Sequence, residues 1–185
     1  MKEIDYLGKD YLKIIEMLSK KAYYVREMAS EAGIAPSFAH KILSNLEKKK
    51  IAIAKSTRNL KYFSLNFDSP IAKAIIRLIL VGKVSNSNAF KAIRSLNPKA
   101  IYLYGSAASG EISAESDIDI AILFDRAPNA VELSKAKMAL SNELKADIQM
   151  VTLTKESVAS MKKNKSQLLE ELINKSVVLE GEPIE

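Results

Sequence analysis

Two apolar periodicities alternate along the chain. In "KDYLKIIEMLSK" apolar residues fall at Leu12, Ile15 and Leu18, the spacing of one helical face. "YVREMASEAGI" predicts a second, short helix stopped at Gly33, since glycine takes the left-handed conformation that helix ends favour. Pro36-Ser37 opens a third, "PSFAHKILSNLEKKK", with Phe38, Ile42 and Leu46 on one face and polar residues on the other. The turn "AGIAP" between two short helices is what a helix-turn-helix requires. "IAIAKSTRNLKYFSL" then gives two alternating runs around a polar tip from Lys55 to Lys61, the pattern of a β-hairpin.

Beyond the hairpin the pattern changes. "SPIAKAIIRLILVGKVSN" starts at Ser69-Pro70 and predicts a helix that breaks near Gly82. Ile71, Ile75, Ile76, Leu78, Ile79 and Leu80 make it apolar around much of its circumference, which predicts burial, either inside the chain or against its copy in a homodimer. A short helix, "NAFKAIRSL", leads to a turn at Asn97-Pro98 and a strand, "IYLY". Further strands are expected in "DIDIAILF" and "ELKADIQMVTL". This reading places one module at residues 1–67, a connecting helix at 68–84 and a second module at 85–185.

Charge separates the same two parts. Residues 1–99 hold 19 Lys/Arg against 8 Asp/Glu, and residues 100–185 hold 9 against 14. A basic part joined to an acidic part predicts two modules with different partners, polyanions for the first and metal ions for the second. There is no cysteine, so disulfides and thiolate metal sites are excluded. The longest apolar stretch is interrupted by Lys73 and Arg77 and is too short to span a bilayer, and the N-terminus lacks the pattern of a signal peptide. No membrane partner is expected, and the cytoplasm is the expected compartment.

The candidate chemistry lies in "LYGSAASGEISAESDIDIAILF", residues 103–124. Side chains alternate along a strand, so Asp117 and Asp119 share one face while Ile118, Ile120 and Ile122 share the other. Two carboxylates so placed repel unless a cation lies between them, and hard divalent ions such as magnesium take oxygen donors. Asp147 opens the apolar run of another strand and completes a three-carboxylate cluster if that strand lies alongside. Glycine lets backbone approach a phosphate closely, and a serine hydroxyl with nearby amides can bind it, which gives Gly105-Ser106 a phosphate-cradling reading. Taken singly, the aspartates also suit a strand's wet face, and Gly-Ser suits any tight turn.

"GSAASGEISAESDIDIAI" resembles the signature of the polymerase-β-like nucleotidyltransferases, especially their minimal, antitoxin-type members. In that pattern Gly-Ser is followed, after about ten residues, by Ser-Asp-X-Asp. The matching positions are Gly105, Ser106, Ser116, Asp117 and Asp119, with Asp147 at the place of the third carboxylate. The similarity runs from about residue 86 to 181. It implies a mixed β-sheet with helices packed on it, and transfer of a nucleoside monophosphate from a nucleoside triphosphate to an acceptor hydroxyl. It further implies magnesium, two ions, with manganese as a substitute. Asp117, Asp119 and Asp147 would be the metal ligands and catalytic residues, with Gly105, Ser106 and Ser116 binding nucleotide. The acceptor would be a protein encoded elsewhere, a nucleic-acid end or a small molecule. Many minimal members carry an arginine just before the second glycine of the loop, where this chain has Ser109-Gly110.

The first module resembles the winged helix-turn-helix domain of archaeal and bacterial transcription regulators, of the MarR-like kind, over roughly residues 8–66. That resemblance implies a third helix in the major groove of double-stranded DNA, with Ser37, His40, Lys41 and Asn45 facing base edges. Lys48, Lys49 and Lys50, with Arg58 and Lys61 in the wing, would contact phosphates. The chain as a whole reads as an α+β protein, a winged helix-turn-helix followed by a nucleotidyltransferase fold. The expected function is a magnesium-dependent nucleotidyltransferase coupled to a DNA-binding module. The alternative is a DNA-binding regulator whose second module binds nucleotide or a partner without catalysis.

Overall fold

The computed structural model describes residues 8–57, 59–111 and 116–184. The chain divides into two compact units, residues 1–79 and 80–185, and the division falls within a single long helix.

The first unit contains α1 (Lys9–Lys20), β1 (Tyr23–Tyr24), α2 (Val25–Ala32), α3 (Pro36–Lys48), β2 (Ala52–Thr57) and β3 (Leu60–Leu65). Ile14, Ile15 and Leu18 of α1, Met28 of α2 and Ala39, Ile42, Leu43 and Leu46 of α3 are all buried, and α2 packs against both other helices. Burying a side chain of this size contributes about 1.5–3 kcal/mol, so this shared face, rather than helix propensity, holds three short helices together. Gly33 ends α2 in the left-handed conformation (φ 70°), and Pro36 starts α3, both as the sequence predicts. Phe38 departs from expectation. It is 39% exposed, because the buried stripe of α3 is centred on Ala39, Ile42, Leu43 and Leu46.

Tyr24, expected at the head of the second helix, lies in a two-residue strand instead. Tyr23 pairs with Phe63 and Tyr24 with Tyr62, giving an antiparallel sheet in the order β1-β3-β2. Aromatic residues favour the pleated surface, and the Tyr24 and Tyr62 rings meet edge to face. The β2–β3 hairpin is also tighter than its polar tip predicts. Pairing extends from Ala52↔Leu65 out to Thr57↔Leu60, with Asn59 at φ 65°. Backbone pairing needs no apolar side chain, so Lys55, Ser56 and Thr57 belong to the ladder. Arg58 lies outside the described residues.

Helix α4 (Pro70–Asn86) runs through Gly82 rather than breaking there. Ala72, Ile75, Ile76, Leu80 and Val84 are buried, but Ile71 is 46% and Leu78 56% exposed, so burial covers one side rather than the whole circumference. No helix among the described residues is long and apolar enough to cross a membrane.

The second unit continues with α5 (Asn88–Arg94), β4 (Ala100–Tyr104), α6 (Gly105–Ser109), β5 (Ile118–Phe124), α7 (Ala130–Leu144), β6 (Ile148–Thr154), α8 (Lys155–Lys163), α9 (Gln167–Lys175) and β7 (Val177–Glu180). Its sheet has the order β6-β5-β4-β7 and is mixed: β5 and β6 are parallel, the other pairs antiparallel. Strand alternation divides the core in two. Ile118, Ile120 and Ile122 face Ala89, Phe90 and Ile93 of α5 and Ala136 and Leu140 of α7. On the other face Tyr102, Tyr104, Ala121 and Leu153 pack with Leu172 of α9. Asp117 and Asp119 share the parity of Ala121, which puts them on this second face.

Candidate functional site

The site is built where β4 ends beside the start of β5. Tyr104 pairs with Asp119, and Gly105 follows at φ 67° as the first residue of the one-turn helix α6. A Cβ at Gly105 would overlap Oδ2 of Asp119. The glycine is therefore required twice, by its left-handed backbone and by the carboxylate packed against it. The close approach expected for a phosphate is, in this structure, made by Asp119.

Asp119 is half-buried, and its carboxyl is held above its ordinary value, first by burial, then by the charges of Asp117 and Glu171. The Tyr104 hydroxyl is likewise raised by burial, with Asp119 and Glu171 adding to it. Glu171, on α9, escapes sequence reasoning because only the packing of α9 on the sheet brings it to this face. Asp117 takes a different partner: Nε2 of Gln149 donates to its Oδ2 at 2.6 Å. Register explains the contact. Ile118 aligns with Ile148 and Asp119 with Gln149, so Asp147 stands level with Asp117, and a glutamine stands level with Asp119.

The expected cluster of three carboxylates is thus spread out. Asp117 and Asp147 line one open cleft of about 380 Å³ with Ser116, Ser141, Asn142, Lys145 and Ala146, and Asp119 does not line it. Among the described residues no three His, Cys, Asp or Glu side chains gather into a metal cage. The donor chemistry nevertheless fits a hard divalent ion. Every candidate ligand is an oxygen, and the mutual repulsion of Asp117 and Asp119 is what such an ion would relieve. Ser106 offers its hydroxyl in the first turn of α6, while its carbonyl accepts from the Glu111 amide at 3.0 Å and from Ser109 Oγ at 3.1 Å.

The residues expected to meet DNA are placed unevenly. Ser37, His40, Lys41 and Lys48 are exposed on α3. Asn45 is not free, since its amide donates to the Tyr11 hydroxyl at 2.9 Å. Lys61 pairs with Glu47 at 2.7 Å and lies over the Phe63 ring. Both pairings join elements distant in the chain, which no local pattern reveals.

None of the curated proteins matches the chain closely. One similar solved structure is a toxin–antitoxin complex with AMP-PNP, 26% identical over 52% of this chain and 75% of that one, with a TM-score of 0.40. Another is a tri-AMPylated Shewanella oneidensis HEPN toxin in complex with MNT antitoxin, 22% identical over 57% of this chain and 73% of that one, with a TM-score of 0.37. The model of the family described as "Polymerase beta, Nucleotidyltransferase" matches residues 89–182, just over half of the chain. With the Gly105-Ser106 turn, the Asp117–Asp119 pair and the mixed sheet all inside those residues, the chain belongs to the polymerase beta nucleotidyltransferase family.

Proposed function

We propose that the protein transfers a nucleoside monophosphate from a nucleoside triphosphate to an acceptor hydroxyl, with magnesium, and that its first unit is a winged helix binding double-stranded DNA. The observation that carries the reading is the placement of Asp117 and Asp119 on one face of β5, beside the Gly105-Ser106 turn, in a chain of this family.

Asp117 and Asp119 would hold the divalent ions, with Asp147 as the further carboxylate at the same end of the sheet. When bound, such ions neutralise the triphosphate and favour departure of pyrophosphate. The chain's own residues supply the rest. The Ser106 hydroxyl hydrogen-bonds a phosphate oxygen, and Ser116, which lines the cleft, adds a second hydroxyl. Asp147 accepts the hydrogen bond of the acceptor hydroxyl and takes its proton as the new O–P bond forms and the bond to the pyrophosphate oxygen breaks. Most of the rate enhancement would be positioning and charge stabilisation.

For the first unit, the order of three helices and a hairpin supports a winged helix, and exposed Ser37, His40 and Lys41 on α3 support a DNA-facing surface. Exposed Ile71 and Leu78 on α4 support a homodimer, which light scattering at micromolar concentration would read as twice the monomer mass.

The test is transfer of labelled nucleotide from each triphosphate, with magnesium, to components of a lysate from the protein's own source. Asp117→Ala and Asp119→Ala should abolish transfer and leave DNA affinity intact. No label incorporated from any triphosphate would remove the enzyme reading. It would favour the second reading, a DNA-binding regulator that holds nucleotide without turnover. One observation supports that alternative: Ser109 turns its hydroxyl onto Ser106, so the loop supplies no cation at that point.

A further inference from the structure

A triphosphate placed against Gly105-Ser106 and Asp117 meets a shortage of positive charge. From Ala100 to Asp125 the chain contains no lysine or arginine. Any side-chain cation for the phosphates must therefore reach the site from elsewhere in the fold.

Lys145 is in position to do so. It lines the same cleft as Ser116, Asp117 and Asp147, and it is exposed. Among the described residues it has no ion-pair partner, whereas Lys61, Lys99 and Lys155 are each paired with a carboxylate. Its backbone is fixed. Lys145 is the left-handed residue that ends α7 (φ 53°, ψ 46°), and its N–H donates to the Ser141 carbonyl. That carbonyl also accepts from the Ala146 amide at 3.3 Å, and Ser141 Oγ donates to the Ala146 carbonyl at 2.7 Å. One serine thus clamps the turn that carries the lysine into β6.

The left-handed conformation alone assigns nothing, because Lys50 and Lys165 share it. What separates Lys145 is its position, two residues before Asp147 and beside Asp117 in the cleft. Glycine would fit its backbone better. The Lys145 side chain, by contrast, lines the cleft.

We propose that Lys145 binds the polyphosphate of the nucleoside triphosphate, supplying from the end of α7 the positive charge that the 100–125 segment lacks. This inference rests on the nucleotidyltransferase reading of the same site. The ammonium would act as a point charge on phosphate oxygens, which sets affinity for the phosphates and leaves the base unread.

The experiment is calorimetric titration of the full chain with magnesium–ATP, magnesium–GTP, magnesium–CTP and magnesium–UTP, and with magnesium and inorganic triphosphate. The variants are Lys145→Ala, Lys145→Arg and Lys145→Gly. Loss of one charge-assisted contact should weaken the bound triphosphate roughly ten- to a hundredfold. Inorganic triphosphate should weaken by a similar factor, and Lys145→Arg should recover most of the loss. Lys145→Gly separates binding from folding, because its melting temperature should equal or exceed that of the unaltered chain while its affinity falls. Equal affinity in the unaltered chain and in Lys145→Gly would overturn the inference and leave the parent reading standing. No binding of any triphosphate by the unaltered chain would overturn both.

Discussion

Gln149 tethers Asp117: its side-chain nitrogen lies 2.6 Å from Asp117 Oδ2, across the parallel pair β5–β6. A neutral amide at this place holds one carboxylate of the pair without adding charge beside Asp119, whose carboxyl already feels Asp117 and Glu171. Gln149→Glu should reverse this. In metal-free buffer the added repulsion should cost about 0.5–1 kcal/mol, the scale of like charges facing each other across strands. Magnesium should then raise the melting temperature of the variant by more than it raises that of the unaltered chain. Thermal melts with and without magnesium decide the matter, and magnesium shifting neither protein would count against a metal site at these aspartates.

Gly105 and Gly33 offer a matched pair. Both have positive φ, 67° and 70°, but a Cβ at Gly33 meets nothing within 4 Å while one at Gly105 overlaps the Asp119 carboxylate. Gly33→Ala should lose only the backbone preference, about 1–2 kcal/mol. Gly105→Ala should lose that amount and also displace Asp119, for a total of about 2–4 kcal/mol in chemical denaturation. Equal losses would mean that the carboxylate moves aside freely.

The contrast also shows what the sequence carries. Gly33 and Pro36 mark helix ends by local chemistry, and Asp117 and Asp119 share a face because strands alternate; neither statement needs a partner element. Gly105 is recognisable as a special residue, but what it makes room for depends on the Tyr104↔Asp119 pairing. Asp147 is recognisable as a strand-opening acid, yet its level is set by the Ile118↔Ile148 register, which puts Gln149 rather than an acid opposite Asp119. Glu171 and Lys145 carry no local signal at all. Each is an ordinary charged residue on a helix until α9 packs on the sheet and α7 turns into β6.

Glu143 should give the second unit a measurable acid dependence. From α7 it accepts the backbone N–H groups of Asn88 and Ala89, both at 3.0 Å, while Ser87 Oγ accepts that of Phe90 at 3.0 Å. These contacts satisfy the N–H groups at the start of α5 that have no partner within the helix. The Ala89 and then the Asn88 amide hold the carboxyl below its ordinary value of 4.5. A carboxyl lowered in the folded state stabilises fully above its unfolded value and loses that contribution as pH falls through the folded one. Glu143→Gln should therefore be less stable than the unaltered chain at pH 7, and the gap should narrow as pH falls below 4.5 and through the lowered folded value. A gap that stays constant with pH would show that the folded chain does not hold the Glu143 carboxyl below its ordinary value.

Two of the basic residues proposed to face DNA, Lys48 and Lys61, should differ in strength, because among the described residues only Lys61 carries a counter-charge. Lys48 is exposed on α3, whereas Lys61 in the hairpin pairs with Glu47 at 2.7 Å. Each phosphate contact contributes about 0.9 to the slope of log K against log salt. Lys48→Ala should lower that slope by roughly one and weaken binding to every duplex alike. Lys61→Ala should do less, since Lys61 must leave Glu47 before it meets a phosphate. Glu47→Gln releases Lys61 and should tighten binding, an effect opposite in sign to both lysine substitutions. Fluorescence anisotropy with a labelled duplex, between about 50 and 200 mM salt, measures all three. A flat salt dependence in the unaltered chain would remove the DNA-binding reading. A silent Glu47→Gln alongside an effective Lys48→Ala would confine the contact to α3 and leave the hairpin without a part in it.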